Sequence, residues 1–167
     1  MYHIGDFVVK ANEGICKIED INYLDIPNVP KDKMYMLLVP VENPSVKVYL
    51  PVDGAGEKLR DVITEEEAGK LIKRIPDIKA AEITDEKQRE KMYKDAVLSS
   101  NPEQLVAVIK TIYDRKIKRE NQGKKTGSVD ERFFKVAEEK LYAELAFAMK
   151  KHKDEMKQFI IDAVGGK

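Results

Sequence analysis

Residues 101–125 read NPEQLVAVIKTIYDRKIKRENQGKK, and this stretch separates the chain into two kinds of structure. Asn101 supplies a side-chain oxygen to cap a helix start, Pro102 suits the first helical position where no amide donor is needed, and Glu103 complements the positive end of the helix dipole. Leu105, Val108, Ile109 and Ile112 then recur on one helical face, which Val106, Tyr113 and Ile117 are expected to widen. The spacing predicts a core helix. Its far end carries Lys110, Arg115, Lys116, Lys118 and Arg119, and Lys124 and Lys125 follow, against Asp114 and Glu120 alone in the same span. One half of the helix is suited to burial, the other to water or to a negatively charged partner.

Working outward, the flanking sequence is also helical. Thr64-Glu65-Glu66-Glu67 has the form of a capping box, and Leu71, Ile72 and Ile75 give a short helix that Pro76 closes. A second helix is predicted from Thr84-Asp85, carrying Met92, Tyr93, Ala96 and Val97 as far as Ser99-Ser100. Gly123 to Gly127 reads as a flexible basic loop. Ser128-Val129-Asp130-Glu131 has the form of a second capping box, opening a helix with Phe134, Ala137, Leu141, Leu145 and Ala148 on one stripe. A last amphipathic segment groups Met156, Phe159, Ile160 and Val164 before Gly165-Gly166. The stretch 63–83 reads either as a rigid helix or as a hinge.

Upstream of Ile63 the period changes from helical to two. Phe7, Val8, Val9, Ile15, Ile18 and Ile21 lie between the breakers Gly5-Asp6 and Asn12-Glu13-Gly14, which reads as a hairpin. Residues 22–33 hold Pro27, Asn28 and Pro30 and are expected to form a loop. Residues 34–41 form a predicted third strand, which the Asn43-Pro44 turn returns into a fourth at residues 46–50. There Val46, Val48 and Leu50 are expected to share one face while Lys47 and Tyr49 face solvent or a partner. Short strands with tight turns predict a small, strongly bent sheet or open barrel. The fold class expected is therefore α+β, with a β domain over residues 1–62 and a separate all-α domain over 63–167.

The 167 residues suffice to bury a core without disulfides or metal. No apolar run approaches the roughly 18 residues of a membrane span, and the first residues lack the blocks of a signal peptide, so a cytoplasmic protein is expected. Cys16 is the only cysteine, which excludes an intrachain disulfide and a multi-thiolate zinc site. The formal charge is zero. Residues 1–62 nonetheless hold seven basic side chains against ten acidic ones, so the two halves carry opposite signs.

Enzyme signatures do not emerge. His3 and His152 lie far apart and outside any metal-ligand spacing. Gly54-Ala55-Gly56 lacks the third glycine of a dinucleotide fingerprint, with Leu59 in its place, and reads as a turn. Gly123-Lys124-Lys125-Thr126-Gly127-Ser128 has the residue types of a phosphate loop in the wrong order. Many carboxylate pairs exist, but none is singled out as acid and base. Neither a catalytic group nor a cofactor or metal site is expected.

The opening Ile4-Gly5-Asp6-Phe7-Val8-Val9, the Gly14 turn into Ile18, the Met34-Tyr35-Met36-Leu37 strand, the strand at 46–51 and the Lys58-Leu59-Arg60-Asp61-Val62 exit resemble the RNA-polymerase-interacting domain of the CarD/CdnL transcription regulators. The same module occurs in transcription-repair coupling factor. Arg89 and Lys91 before Tyr93, the helix at 105–113 and Glu144-Leu145-Ala146 extend the resemblance over nearly the whole chain. The resemblance implies a Tudor-like domain that docks on the β subunit of bacterial RNA polymerase, and a helical domain that touches promoter DNA near the upstream edge of the bubble. The product would be a non-enzymatic regulator of open-complex stability, working as a monomer away from membranes.

For polymerase the expected contacts are Val46, Lys47, Val48, Tyr49, Leu50 and Pro51, with strand addition as the mode and Lys47 and Tyr49 outward. For DNA the family positions match Arg89, Lys91 and Arg132, to which charge alone adds Lys87, Lys94, Lys124 and Lys125 as phosphate contacts that do not read sequence. The chain departs from the family in one place. A tryptophan that wedges into the minor groove is typical just before the arginine matched by Arg89, but here the equivalent place falls near Glu86 and no tryptophan is present. An acid neither stacks on a base nor tolerates phosphate. The expected DNA contact is accordingly weak, and the alternative is a polymerase-bound adaptor whose helical domain takes a protein partner.

Overall fold

The structure is a computed structural model that describes residues 1–83 and 85–163, so the expectations placed on Thr84, Val164 and Gly165-Gly166 lie outside the described residues. The chain divides into two compact units, Met1–Val62 and Ile63–Lys167.

The first unit is a curled five-stranded antiparallel half-barrel, a Tudor-like β domain. β1 (Phe7–Lys10) and β2 (Gly14–Tyr23) form the hairpin, β3 is Met34–Pro40, β4 is Val48–Pro51 and β5 is Leu59–Asp61. The order across the sheet is β4-β3-β2-β1-β5, which leaves β4 and β5 as edges. Gly14, at φ +76, takes the left-handed conformation that ends the hairpin turn, and the Glu13 amide donates to Lys10 O at 3.1 Å to close it. Alternation directs Val8, Cys16, Ile18, Met36, Leu38, Leu50 and Leu59 into one apolar core.

Three details differ from the sequence expectation. β2 runs on through Asn22 and Tyr23, which pair with Tyr35 and Met34, so the loop is shorter than residues 22–33. β5 carries one apolar residue in three, too short for its period to register, and exists because it pairs with β1. Between Ile18 and Asp20 the register shifts, a bulge that inserts Glu19 as an extra residue in β2. The bulge lets Ile18 and Ile21 both meet the core although three positions separate them.

The second unit comprises α1 (Glu65–Arg74), α2 (Glu86–Ser99), α3 (Pro102–Asn121), α4 (Ser128–Met149) and α5 (Lys153–Ala163). The Thr64 capping box forms in both directions, with Thr64 Oγ1 accepting from the Glu67 amide at 3.1 Å and Glu67 Oε1 accepting from the Thr64 amide at 3.0 Å. Pro76 sits in a single 3-10 turn, Ile75–Asp77, that terminates α1. The 78–83 segment then runs extended along α3: Lys110 Nζ donates to Ile78 O at 2.5 Å, and Thr111 Oγ1 accepts from the Ala81 amide at 2.9 Å. Asn101 caps α3 as its sequence requires, accepting from the Glu103 and Gln104 amides.

The second capping box does not form. Gly127 is the N-cap of α4 and offers no side chain, so Ser128 already lies within the helix. With the helix starting there, the buried stripe steps through Asp130, Phe133, Ala137, Leu141 and Leu145, and Phe134 and Ala148 flank it instead of leading it. Tyr113 and Ile117 do not widen the α3 core face: both are exposed, while Val106 is buried. Met156 and Ile160 carry α5 onto the same core. The core thus draws from every helix of the unit.

Candidate functional site

The β unit presents β4 as an open edge. β3 occupies one side of this strand, in the register Met36↔Leu50, Leu37↔Tyr49 and Leu38↔Val48, and among the described residues no strand pairs with its other side. An unpartnered edge offers a row of backbone donors and acceptors to an incoming segment. Among the residues expected to meet a partner, Tyr49 is 42% exposed and Lys47 is exposed. Leu50 is buried and Val48 packs beside it, so both position the strand from within. Val46 does not share their face. Its amide donates to Asn43 O at 3.1 Å, which places it in the turn and delays the strand to Val48. Pro51 lies opposite Tyr35 on the outer side with Tyr49.

The helical unit gathers its expected basic residues in three groups. Lys124 and Lys125 lie at the end of α3 in a loop that is tied back: the Lys124 amide donates to Arg119 O, and Arg119 Nε donates to Lys125 O, each at 2.8 Å. Lys116 and Lys118 are exposed one turn before it. On α2, Lys91 pairs with Asp95 at 3.4 Å and Lys94 with Glu90 at 3.6 Å, while Arg132 of α4 reaches the same Glu90 at 3.3 Å and lies over the Phe133 ring. Lys87 is exposed at the start of α2. Most of the expected phosphate contacts on α2 and α4 therefore already face an acid.

Arg89 is placed quite differently. It is 18% exposed, and its Nη1 meets Asp130 Oδ1 while its Nε donates to Glu86 Oε2 at 2.8 Å. Arg115 of α3 completes a ring of four charges, donating from Nε to Asp130 Oδ2 at 3.0 Å and from Nη1 to Glu86 Oε1 at 3.1 Å. Asp130 is 1% exposed. Its carboxylate is matched by two guanidinium groups, the condition under which a buried ion survives desolvation. Tyr93 packs beneath, with Arg89 5.8 Å from its ring centroid and Phe133 at 5.6 Å. Burial, reinforced by the charge of Asp130, pushes the Tyr93 phenol up to about 12. The hydrogen bond from Arg89 holds Glu86 below its ordinary 4.5, with Arg115 acting in the same direction.

The expectation places Arg89 at DNA, Arg115 in a basic helix end and Asp130 in a capping box, whereas the fold joins the three in one ring. A signal existed in their spacing. Arg115 continues the Val108 and Ile112 face of α3, and Asp130 begins the stripe that continues through Phe133 and Ala137. A lone charge in line with an apolar stripe marks an internal ion pair.

Residues 2–63 match the family model of the CarD-like/TRCF RID domain, so the β unit is similar to that domain over nearly its whole length. That family is one of protein-interaction domains and not of enzymes. No curated protein matches the chain. Among the described residues no helix is long and apolar enough to cross a membrane.

Proposed function

We propose that this protein is a non-enzymatic regulator of bacterial transcription initiation, which docks on the β subunit of RNA polymerase through β4 and brings its helical unit to promoter DNA at the edge of the bubble. The observation that carries this reading is the open β4 edge, with Lys47 and Tyr49 beside it, in the stretch that matches the RNA-polymerase-interacting domain. Backbone pairing along the edge supplies affinity, and the outward side chains supply specificity. The exposed lysines Lys116, Lys118, Lys124 and Lys125 at and beyond the far end of α3 support weak phosphate contact that does not depend on base sequence. Contacts available only when the duplex is melted shift the closed-to-open equilibrium by their difference in affinity for the two states, and no chemical step is required.

The test is binding of purified bacterial RNA polymerase to the intact protein and to a Tyr49→Ala, Lys47→Glu variant, with melted promoter DNA present or absent. The variant is expected to lose binding, and added DNA to strengthen the intact complex. Equal binding by variant and parent would remove β4 as the docking edge. A second reading replaces DNA with a protein partner for the helical unit. It is favoured by the acids Glu90 and Asp95 that already face Arg132, Lys94 and Lys91. DNA affinity that falls steeply with salt supports the first reading; no DNA binding at low salt supports the second.

A further inference from the structure

We infer that Arg89 and Arg115 form an anion site for a phosphodiester group, and that Glu86 occupies this site in the free protein and is displaced on binding. The inference rests on the DNA-facing reading of the helical unit and concerns how that unit takes hold of a phosphate.

The ring has an inner and an outer half. Its inner half is fixed: Asp130 on α4 accepts from both guanidinium groups and, at 1% exposure, has no route to solvent. The arginines are themselves only 18% and 24% exposed, so their orientation is set by packing. The outer half is a single side chain. Glu86 is 67% exposed and accepts from Arg89 Nε at 2.8 Å and from Arg115 Nη1 at 3.1 Å. Two guanidinium donors that converge on two oxygens of one anion also fit two oxygens of a phosphate, since both groups present paired acceptors in one plane.

Charge points the same way. Without Glu86, the two arginines and Asp130 sum to a single positive charge, which a phosphodiester monoanion balances as Glu86 does now. Displacement is also inexpensive. Glu86 is the first residue of α2, and its carboxylate swings into water while staying near the positive end of that helix. The site is thus held shut by an acid of the same chain, and its opening exchanges one anion for another without leaving a buried charge bare.

The experiment measures binding of a labelled forked DNA at fixed low salt by fluorescence anisotropy, using the full chain. Glu86→Ala is expected to bind about tenfold tighter than the parent, the scale of a charge-assisted hydrogen bond to a fixed donor pair. Glu86→Gln serves as a second variant that keeps the side chain's size. Asp95→Ala removes an equal charge from the same helix outside the ring and is expected to change affinity about twofold or less. Adding Arg115→Lys to Glu86→Ala should abolish the gain. Inorganic phosphate in place of DNA identifies the source: competition at millimolar concentration assigns the site to free phosphate, and its failure assigns it to the nucleic-acid backbone.

The inference is overturned if neither Glu86 variant binds more tightly than Asp95→Ala, or if the gain survives Arg115→Lys. Should the parent bind DNA through Lys124 and Lys125 while the Glu86 variants add nothing, the inference alone fails. If DNA binds neither the parent nor the Glu86 variants, the DNA reading of the helical unit fails with it.

Discussion

In the β unit the ion pairs Lys10–Glu13 and Lys31–Asp25 sit in a hairpin turn and a loop, while in the helical unit two arginines and two carboxylates, one of them a buried aspartate, are drawn between three helices. The β unit is specified by its backbone ladder and a small apolar core, so its charges stay peripheral and one edge stays open. The helical unit has no ladder between its elements. There a ring of directional bonds from α2, α3 and α4 selects one packing among the many that an apolar core alone tolerates. The contrast teaches where each unit is vulnerable, and substitutions can be chosen to break it.

The largest effect is expected at the ring. Asp130→Ala leaves two half-buried guanidinium groups facing each other and should destabilise the helical unit by about 3–5 kcal/mol, read as a lower urea midpoint of the helical signal at 222 nm. The matching change in the β unit is Leu38→Ala. It removes a fully buried side chain from an apolar core and should cost about 2–5 kcal/mol, measured by denaturation followed through the β unit. If Asp130→Ala proves the milder of the two, the ring is not what fixes the helices.

Alkaline pH sharpens the comparison without a cavity. Burial raises the Cys16 thiol from 9.0 to about 11, so the folded state keeps its proton where the unfolded state releases it. The stability this contributes is complete below pH 9 and is lost as pH rises towards about 11. Cys16→Ala should flatten that part of the profile in the β unit. The Tyr93 phenol makes the corresponding loss in the helical unit begin later, between pH 10.0 and about 12.

Smallest are the effects at the two sequence matches to a capping box. Thr64→Ala removes a cap that is formed and should cost about 1 kcal/mol. Ser128→Ala removes one that is not formed and should fall within about 0.5 kcal/mol of the parent in thermal melts. Equal losses would mean that Ser128 caps α4 in solution.

These pairs also show what the sequence makes legible. Thr64, Asn101 and Pro76 act within one or two turns of themselves, and their signals translate directly into helix ends. The alternation of residues 34–40 likewise sets the inner face of β3. What escaped depends on partners remote in sequence. β5 becomes a strand only beside β1, and Arg89 belongs to Asp130, which is 41 residues away. A count of charges sees four surface groups where the fold makes one neutral cluster. In the candidate site the exposure of Tyr49 was legible because alternation along β4 turns it outward, whereas Arg115 required the packing of three helices to meet Glu86 and Asp130.

The bulge at Glu19 means that β2 carries two reading frames joined end to end. Before it, even-numbered residues Cys16 and Ile18 look inward; after it, odd-numbered Ile21 does. Deleting Glu19 would therefore merge the two frames into one: Asp20 would stay opposite Leu37 and Ile21 opposite Met36, each on its present face, and only the local kink of the bulge would be lost. Replacing Glu19 by another residue keeps both frames, because the extra residue and not its side chain makes the bulge.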